Sequence, residues 1–116
     1  MIPADVRIFV CTEPIDMRRS FDGLALAARE HLGQDPLAGG LFVFVNRRAN
    51  RLKVLWFDRN GYCLLYKRLH RALFCVPRQG DAIAVSIDGG ALARLLEGVP
   101  VTRRRGPGGA SLVACA

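Results

Sequence analysis

The segment 41–69 most constrains the fold, because it contains three runs of strand-forming residues separated by two polar turns. Asn60-Gly61 gives the strongest hairpin signal in the chain, since both residue types accept the positive φ values of a type I′ turn. The segment therefore predicts an antiparallel meander of three strands. The expected strands are 41–45, 51–57 and 62–69.

The two turns also predict which side chains share a face, because residues opposite each other on paired strands point to the same side. With Asn60-Gly61 as the turn residues, Lys53 is expected opposite Arg68. A four-residue loop at 47–50 places Phe44 opposite Lys53. One face is then wholly apolar, with Leu41, Val43, Val45, Leu52, Val54, Trp56, Cys63, Leu65 and Leu69. The other face combines aromatic, aliphatic and basic residues: Phe42, Phe44, Arg51, Lys53, Leu55, Phe57, Arg59, Tyr62, Leu64, Tyr66 and Arg68.

The remainder of the chain predicts one strand and one helix on each side of the meander. A β-branched and aromatic run predicts a strand at 6–11, and helical spacing of apolar residues predicts a helix from Asp16 or Ser20 to Gly33. A second strand is expected at 82–87, followed by a helix that Asp88 caps. The expected fold class is α+β, a single small domain with an antiparallel meander sheet and two helices (β-α-β-β-β-β-α). We place the domain at 1–98 and a basic, Gly-rich flexible tail at 99–116.

The positive charge of the chain is concentrated in 41–79, where nine basic residues and one acid give a net charge of +8, compared with +7 for the whole chain. The flanking segments carry −2 (1–40) and +1 (80–116). A one-sided charge of this kind favours a polyanionic partner, and the alternative is a merely solvated basic surface. The residues are Arg47, Arg48, Arg51, Lys53, Arg59, Lys67, Arg68, Arg71 and Arg78, with Asp58 as the acid.

Four cysteines (Cys11, Cys63, Cys75 and Cys115) lie in apolar runs without the paired spacing of metal ligands or of a disulfide framework. We expect reduced, buried thiols and no metal site. The chain shows neither a signal peptide nor an apolar run of membrane-spanning length, and its basic residues fall mostly on strands rather than on an amphipathic helix. These features predict a cytoplasmic protein that does not bind membranes.

No arrangement of catalytic groups is visible. The aspartates are dispersed, and the sequence contains neither a Gly-rich phosphate loop followed by Lys and Ser or Thr nor an evident pair of nucleophile and base. We therefore expect a protein without enzymatic activity and without a cofactor.

A set of ordered motifs from Met1 to about Gly98 resembles the small accessory protein TnpB of the insertion-sequence 66 family. The resemblance implies a bacterial mobile-element protein, encoded beside a much larger DDE-type transposase and needed for efficient transposition, with no established activity of its own. DNA and that transposase are the implied partners. The motifs are Asp16-Met17-Arg18-Arg19-Ser20-Phe21-Asp22-Gly23-Leu24, Asp35-Pro36, Gly40-Leu41-Phe42-Val43-Phe44, Asn46-Arg47-Arg48, Lys53-Val54-Leu55-Trp56-Phe57-Asp58 with Gly61, Lys67-Arg68-Leu69 and Phe74 to Pro77.

The candidate site is a basic β-hairpin face, together with two arginines where the first helix starts. Asp16 is expected to cap that helix while Arg18 and Arg19 project toward phosphate or the transposase; the alternative is a cap with two solvated arginines. The residues expected to contact DNA are Arg18, Arg19, Arg47, Arg48, Arg51, Lys53, Arg59, Lys67, Arg68 and Arg71.

Two further hypotheses stay open. Aromatic residues of the basic face could stack unpaired bases, unless a helix or a second subunit covers them. The protein could also be an adaptor that docks on the transposase through the exposed side of the sheet or through Leu92, Leu95 and Leu96, without touching DNA. The aromatic residues in question are Phe42, Phe44, Phe57, Tyr62 and Tyr66.

Overall fold

A computed structural model of the protein describes residues 6–101. The predicted strands and both predicted helices are present, and the α+β class is confirmed. The elements in chain order are β1 (Ile8–Cys11), α1 (Phe21–Leu32), a short 3₁₀ helix (Pro36–Ala38), β2 (Leu41–Val45), β3 (Arg51–Asp58), β4 (Gly61–Arg68), β5 (Ala72–Leu73), β6 (Ala84–Ile87), α2 (Gly89–Glu97) and β7 (Val99–Pro100).

Five strands form one sheet in the order β4-β3-β2-β1-β6. The three strands of the predicted meander are adjacent and antiparallel, whereas β1 lies parallel to β2. A parallel pair requires a long crossover connection, and α1 supplies it. This connection brings the segment that precedes α1 to the end of β2, where the amide of Ile15 donates to the carbonyl of Val45 at 3.0 Å.

Two short strands were not predicted. β5 and β7 form a separate antiparallel pair, in which Leu73 lies opposite Val99 and Ala72 opposite Pro100. Regular structure therefore continues past Gly98, the predicted end of the domain. The predicted flexible tail falls mostly on 102–116, outside the described residues, and stays a prediction.

The β3–β4 turn lies one residue earlier than predicted. Arg59 and Asn60 are the two turn residues, with φ values of 42° and 68°, and Asp58 pairs with Gly61. Lys53 consequently lies opposite Tyr66 rather than Arg68, and Arg51 lies opposite Arg68. Because the register differs by two residues and side chains alternate with a period of two, the two predicted faces keep their members. The predicted pairing of Phe44 with Lys53 is confirmed.

Helices cover both faces of the sheet. α2 and the segment around Phe74 pack on the apolar face, where Leu41, Val43 and Leu52 are buried. α1 packs on the other face, over Phe42, Phe44 and Leu55, all of which are 0% exposed. The mixed aromatic and basic face is therefore an internal layer along most of its length, and a base-stacking surface made of Phe42 and Phe44 is excluded.

The helix ends follow the predicted signals, with one exception. Gly33 ends α1 at φ 63°, and the Asp88 side chain accepts a hydrogen bond from the amide of Ala91 at 2.7 Å at the start of α2. Asp16 does not cap α1, because Ser20 occupies the N-cap position and Asp16 bonds within the preceding turn. Asp16 as the cap was therefore a wrong prediction.

Cys11 and Cys63 carry free thiols. Burial raises the pKa of the Cys11 thiol above its ordinary value. Cys75 is disulfide-bonded, so the expectation of four reduced thiols is wrong for this residue, and Cys115 lies outside the described residues. Within 6–101, no helix has both the length and the apolar character that a membrane crossing requires.

Candidate functional site

The candidate site is an open cleft of about 760 Å³ at one end of the sheet. Its walls come from three places in the chain: the segment before α1, the β2–β3 loop with the start of β3, and Tyr66 near the end of β4. We call it the arginine cleft. The lining residues are Pro14, Ile15, Asp16, Met17, Arg18, Asn46, Arg47, Arg48, Asn50, Arg51 and Tyr66.

The β2–β3 loop is held by the side chain of Asn46. Its Oδ1 accepts hydrogen bonds from the amides of Asn50 and Arg51, each at 3.0 Å, and its Nδ2 donates to Asn50 Oδ1 at 2.8 Å. Short amide side chains favour such local bonds to the backbone in turns. The loop therefore has a defined shape, and it presents Arg47 and Arg48 to solvent at its tip.

The segment before α1 forms a tight turn from Asp16 to Arg19. Asp16 Oδ1 accepts from the amide of Arg18 at 2.9 Å, and Asp16 Oδ2 accepts from Arg18 Nη2 at 2.7 Å. Hydrogen bonds from the Arg18 side chain and backbone lower the pKa of Asp16 to about 2. The Arg18 side chain is nevertheless 92% exposed, so this arginine lies at the cleft with its charge offset by one carboxylate.

Lys53 fixes this turn to the sheet. It is 6% exposed, and its Nζ donates to the carbonyl oxygens of Met17 and Arg19, each at 2.7 Å. The same ammonium group lies 4.8 Å from the centre of the Tyr66 ring, within range of a cation–π interaction. Lys53 therefore positions two walls of the arginine cleft, the turn before α1 and Tyr66. Because its ammonium group is buried, Lys53 cannot reach an external phosphate.

Tyr66 is the exposed aromatic residue of the cleft. It is 49% exposed, and its hydroxyl accepts a hydrogen bond from Arg51 Nη1 at 3.0 Å. A second, smaller groove of about 280 Å³ is lined by Arg51, Tyr66 and Arg68. Tyr66 and Arg51 line both the arginine cleft and this groove, so the cleft and the groove are adjacent.

The ten candidate residues do not form one exposed face. Arg18, Arg47, Arg48 and Arg51 line the cleft, and Arg68 lines the adjoining groove. Arg71 is exposed in the segment after β4. This segment lies against the β2–β3 loop, because the amide of Phe74 donates a hydrogen bond to the carbonyl of Ala49. These six arginines gather at one end of the sheet rather than on its face.

The other four candidates lie elsewhere or are engaged internally. Lys53 is buried, and the stem of half-buried Arg19 lies against Gly23, where an added Cβ would come within 3.2 Å of it. Lys67 donates to the carbonyl of Leu96 in α2 at 2.6 Å, on the opposite side of the sheet. Arg59 is exposed in the β3–β4 turn, about 25 Å from Arg51 at the ordinary rise per strand residue.

Carboxylates neutralise little of the charge at this end. In the part of the chain that the structure describes, the ion pairs are Arg18 with Asp16 and Arg29 with Asp35, and His31 Nδ1 lies 3.1 Å from a carboxylate oxygen of Glu13. The same part contains no group of three or more His, Cys, Asp or Glu residues that could hold a metal ion. The arrangement can therefore present several guanidinium groups together to an anion.

Sequence reasoning missed the supporting residues of the cleft. Asn50 was predicted to lie in the loop, but its hydrogen bonds with Asn46 were not predicted. Two asparagines at the two ends of a hairpin loop are the signal that could have indicated these bonds. Leu92 and Leu95, offered as a docking surface, pack into the core with only 6% and 5% exposure. That part of the adaptor hypothesis is wrong.

Comparisons with known proteins agree with the motif resemblance. The chain is 44% identical over 102 residues to the uncharacterized protein y4hO of Sinorhizobium fredii (strain NBRC 101917 / NGR234), covering 85% of this chain and 87% of that protein. It is 34% identical over 98 residues to the uncharacterized protein y4jC of the same organism, covering 84% and 83%. No solved structure matches. The family model described as "IS66 Orf2 like protein" matches residues 6–106, and the chain therefore belongs to this family of accessory proteins of insertion-sequence transposition.

Proposed function

We propose that the protein is a non-enzymatic transposition accessory that binds DNA phosphates through the arginines at the basic end of the sheet. The observation that supports the proposal is that arginines from separate segments of the chain line the same cleft. Arg18 and the Arg47-Arg48-Arg51 group are about 30 residues apart in sequence, yet they line one cleft. Arginine suits this role, because its planar guanidinium can donate two hydrogen bonds to one phosphate.

The cleft is built before any ligand arrives, which favours binding. Lys53 and Asn46 hold its walls through hydrogen bonds of 2.7 to 3.0 Å, so the backbone of these walls does not have to be ordered on association. Among its described lining residues, Asp16 is the sole carboxylate, and Arg18 binds it. The cleft therefore offers positive charge and hydrogen-bond donors, which suit recognition of an anion better than proton transfer.

The protein partner in this proposal is the large transposase of the same element. Exposed apolar side chains that a protein partner could contact include Phe21 and Leu26 on α1 and Leu37 in the 3₁₀ helix. These side chains also support the adaptor hypothesis, in which the protein docks on the transposase and contacts DNA only through it.

A single binding series tests the proposal. Purified protein is titrated by fluorescence anisotropy against element-end DNA and against random DNA, with and without transposase, from 50 to 300 mM salt. If about five arginines contact phosphates, the logarithm of affinity should fall with the logarithm of salt at a slope near −4 to −5. Binding to DNA only when transposase is present identifies an adaptor, and the absence of DNA binding in every arm overturns the proposal.

A pull-down with the transposase separates direct from DNA-mediated association. We expect the protein to be retained less when nuclease removes DNA. Retention that nuclease leaves unchanged, together with no binding to free DNA, assigns the function to protein docking alone.

A further inference from the structure

The Tyr66 ring has the geometry of a stacking platform. Its hydroxyl is fixed by Arg51 at 3.0 Å, and the Lys53 ammonium lies 4.8 Å from the ring centre. Lys53 is buried against one side of this ring, whereas Tyr66 itself is 49% exposed and lines both grooves. An aromatic ring held on one side and open on the other can stack a planar ligand without reordering.

The surroundings of the ring define the ligand. Arg47 and Arg48 lie on the cleft side of Tyr66 and Arg68 lies on the groove side, with Arg51 common to both. Cations on both sides of an aromatic ring match a chain in which planar bases alternate with phosphates. The cleft volume of about 760 Å³ lies in the ~300–1,000 Å³ range of sites that enclose small organic groups.

A base inside a duplex cannot use such a platform, because its faces already stack on the neighbouring base pairs. We therefore infer that this site binds an unpaired stretch of DNA, with one base stacked on Tyr66 and the adjacent phosphates on Arg47, Arg48, Arg51 and Arg68. This inference rests on the proposed function and deepens it, since it names the form of DNA that the site takes. Stacking tolerates any base, so no sequence preference follows from Tyr66 itself.

The test compares three labelled 12-nucleotide ligands on the full-length protein: oligo-dT, an abasic strand with the same phosphates, and a duplex. Because base stacking on an aromatic residue strengthens binding about 10-fold, oligo-dT should bind about 10-fold more tightly than the abasic strand at equal salt. Both strands should give the same salt slope, since their phosphates are the same.

Two variants locate the effect. Tyr66→Leu should weaken oligo-dT binding about 10-fold more than it weakens binding of the abasic strand and the duplex. Tyr66→Phe keeps the ring but also loses the hydroxyl bond to Arg51, and it should bind oligo-dT within about threefold of the wild type. Thermal unfolding of both variants identifies any general loss of structure, and the abasic comparison on wild-type protein is independent of it.

The outcomes separate the two proposals. Equal binding of oligo-dT and the abasic strand overturns the stacking inference while leaving phosphate binding intact. An equal loss on all three ligands in Tyr66→Leu also overturns it, because the residue then only shapes the cleft. Failure of the wild type to bind any of the three ligands overturns both the inference and the proposed function.

Discussion

The two ends of the β3–β4 hairpin differ in how each presents its basic residues. At the open end, Arg51 and Arg68 lie opposite each other beside the arginine cleft, where two other segments of the chain contribute cations. At the turn end, Arg59 is exposed beside the carboxylate of Asp58, the residue that precedes it. Both ends look basic in sequence, but only the first is part of a built surface. The comparison shows that a basic surface depends on which segments the fold brings together, and local charge density does not reveal this.

The largest expected effect is the loss of DNA binding when the cleft arginines are neutralised. Arg47→Gln/Arg48→Gln removes two exposed cations that make no ion pair among the described residues. If each contacts a phosphate, affinity should fall about 50-fold at 0.1 M salt, and the salt slope should become less steep by about 2. Anisotropy titrations over a series of salt concentrations measure both quantities.

The matched control for this pair removes the same charge elsewhere. Arg59→Gln/Arg94→Gln neutralises two exposed arginines, one in the β3–β4 turn and one on α2, and it should change affinity less than about threefold. If the control weakens binding as much as the cleft pair does, the cleft arginines contribute no more than other exposed arginines and the comparison fails. Neither pair should change stability by more than about 0.5 kcal/mol, as is usual for surface positions.

The second effect concerns stability and contrasts the two lysines of the hairpin. Lys53→Met removes a buried ammonium and leaves the carbonyls of Met17 and Arg19 without their donor. We expect the free energy of unfolding to fall by about 2 to 3 kcal/mol. Lys67→Met removes one exposed bond to Leu96 and should cost less than about 1 kcal/mol. Urea unfolding measures both, and equal losses would contradict the anchoring role of Lys53.

Much of the fold follows from local sequence signals. The meander strands, the αL glycine that ends α1 and the Asp88 cap each depend on residues close in sequence, so pattern and turn chemistry predict them. The β3–β4 turn lies one residue earlier than predicted: Asn60 adopts the left-handed region, as asparagine often does, and Arg59 adopts it as well, which its residue type does not indicate.

The site was less predictable, because it depends on contacts between segments distant in sequence. Arg18 and Arg47 line one cleft because β1 pairs in parallel with β2, and no local pattern indicates that pairing. Lys53 was expected on an exposed basic face, but α1 and the preceding turn cover it, and its hydrophobic stem allows a lysine to occupy an internal position. Sequence therefore located the basic residues, and the tertiary structure determined which of them are available.

The smallest expected effect tests the single acid of the cleft. Because Asp16 offsets the charge of Arg18, Asp16→Asn should release one positive charge, strengthen DNA binding by a few fold and make the salt slope steeper by about 1. The amide oxygen of asparagine can still accept from the backbone of Arg18, so the turn should persist. Unchanged affinity would place Arg18 outside the contact, and the arginine cleft would then reduce to the β2–β3 loop and the hairpin end.

The titration of Asp16 at acidic pH tests the pair of Asp16 and Arg18 independently. The pKa of Asp16 is lowered from 3.8 to about 2, so its contribution to stability is complete above about pH 4 and is lost as the pH falls through 2. An NMR titration of the Asp16 carboxyl carbon should show a midpoint near 2 in the wild type and nearer 3.8 in Arg18→Gln. A midpoint near 3.8 in both the wild type and Arg18→Gln would mean that Arg18 is not paired with Asp16 in solution. The cleft would then carry one more free cation than the ion pair implies, and Asp16→Asn should leave its salt slope unchanged.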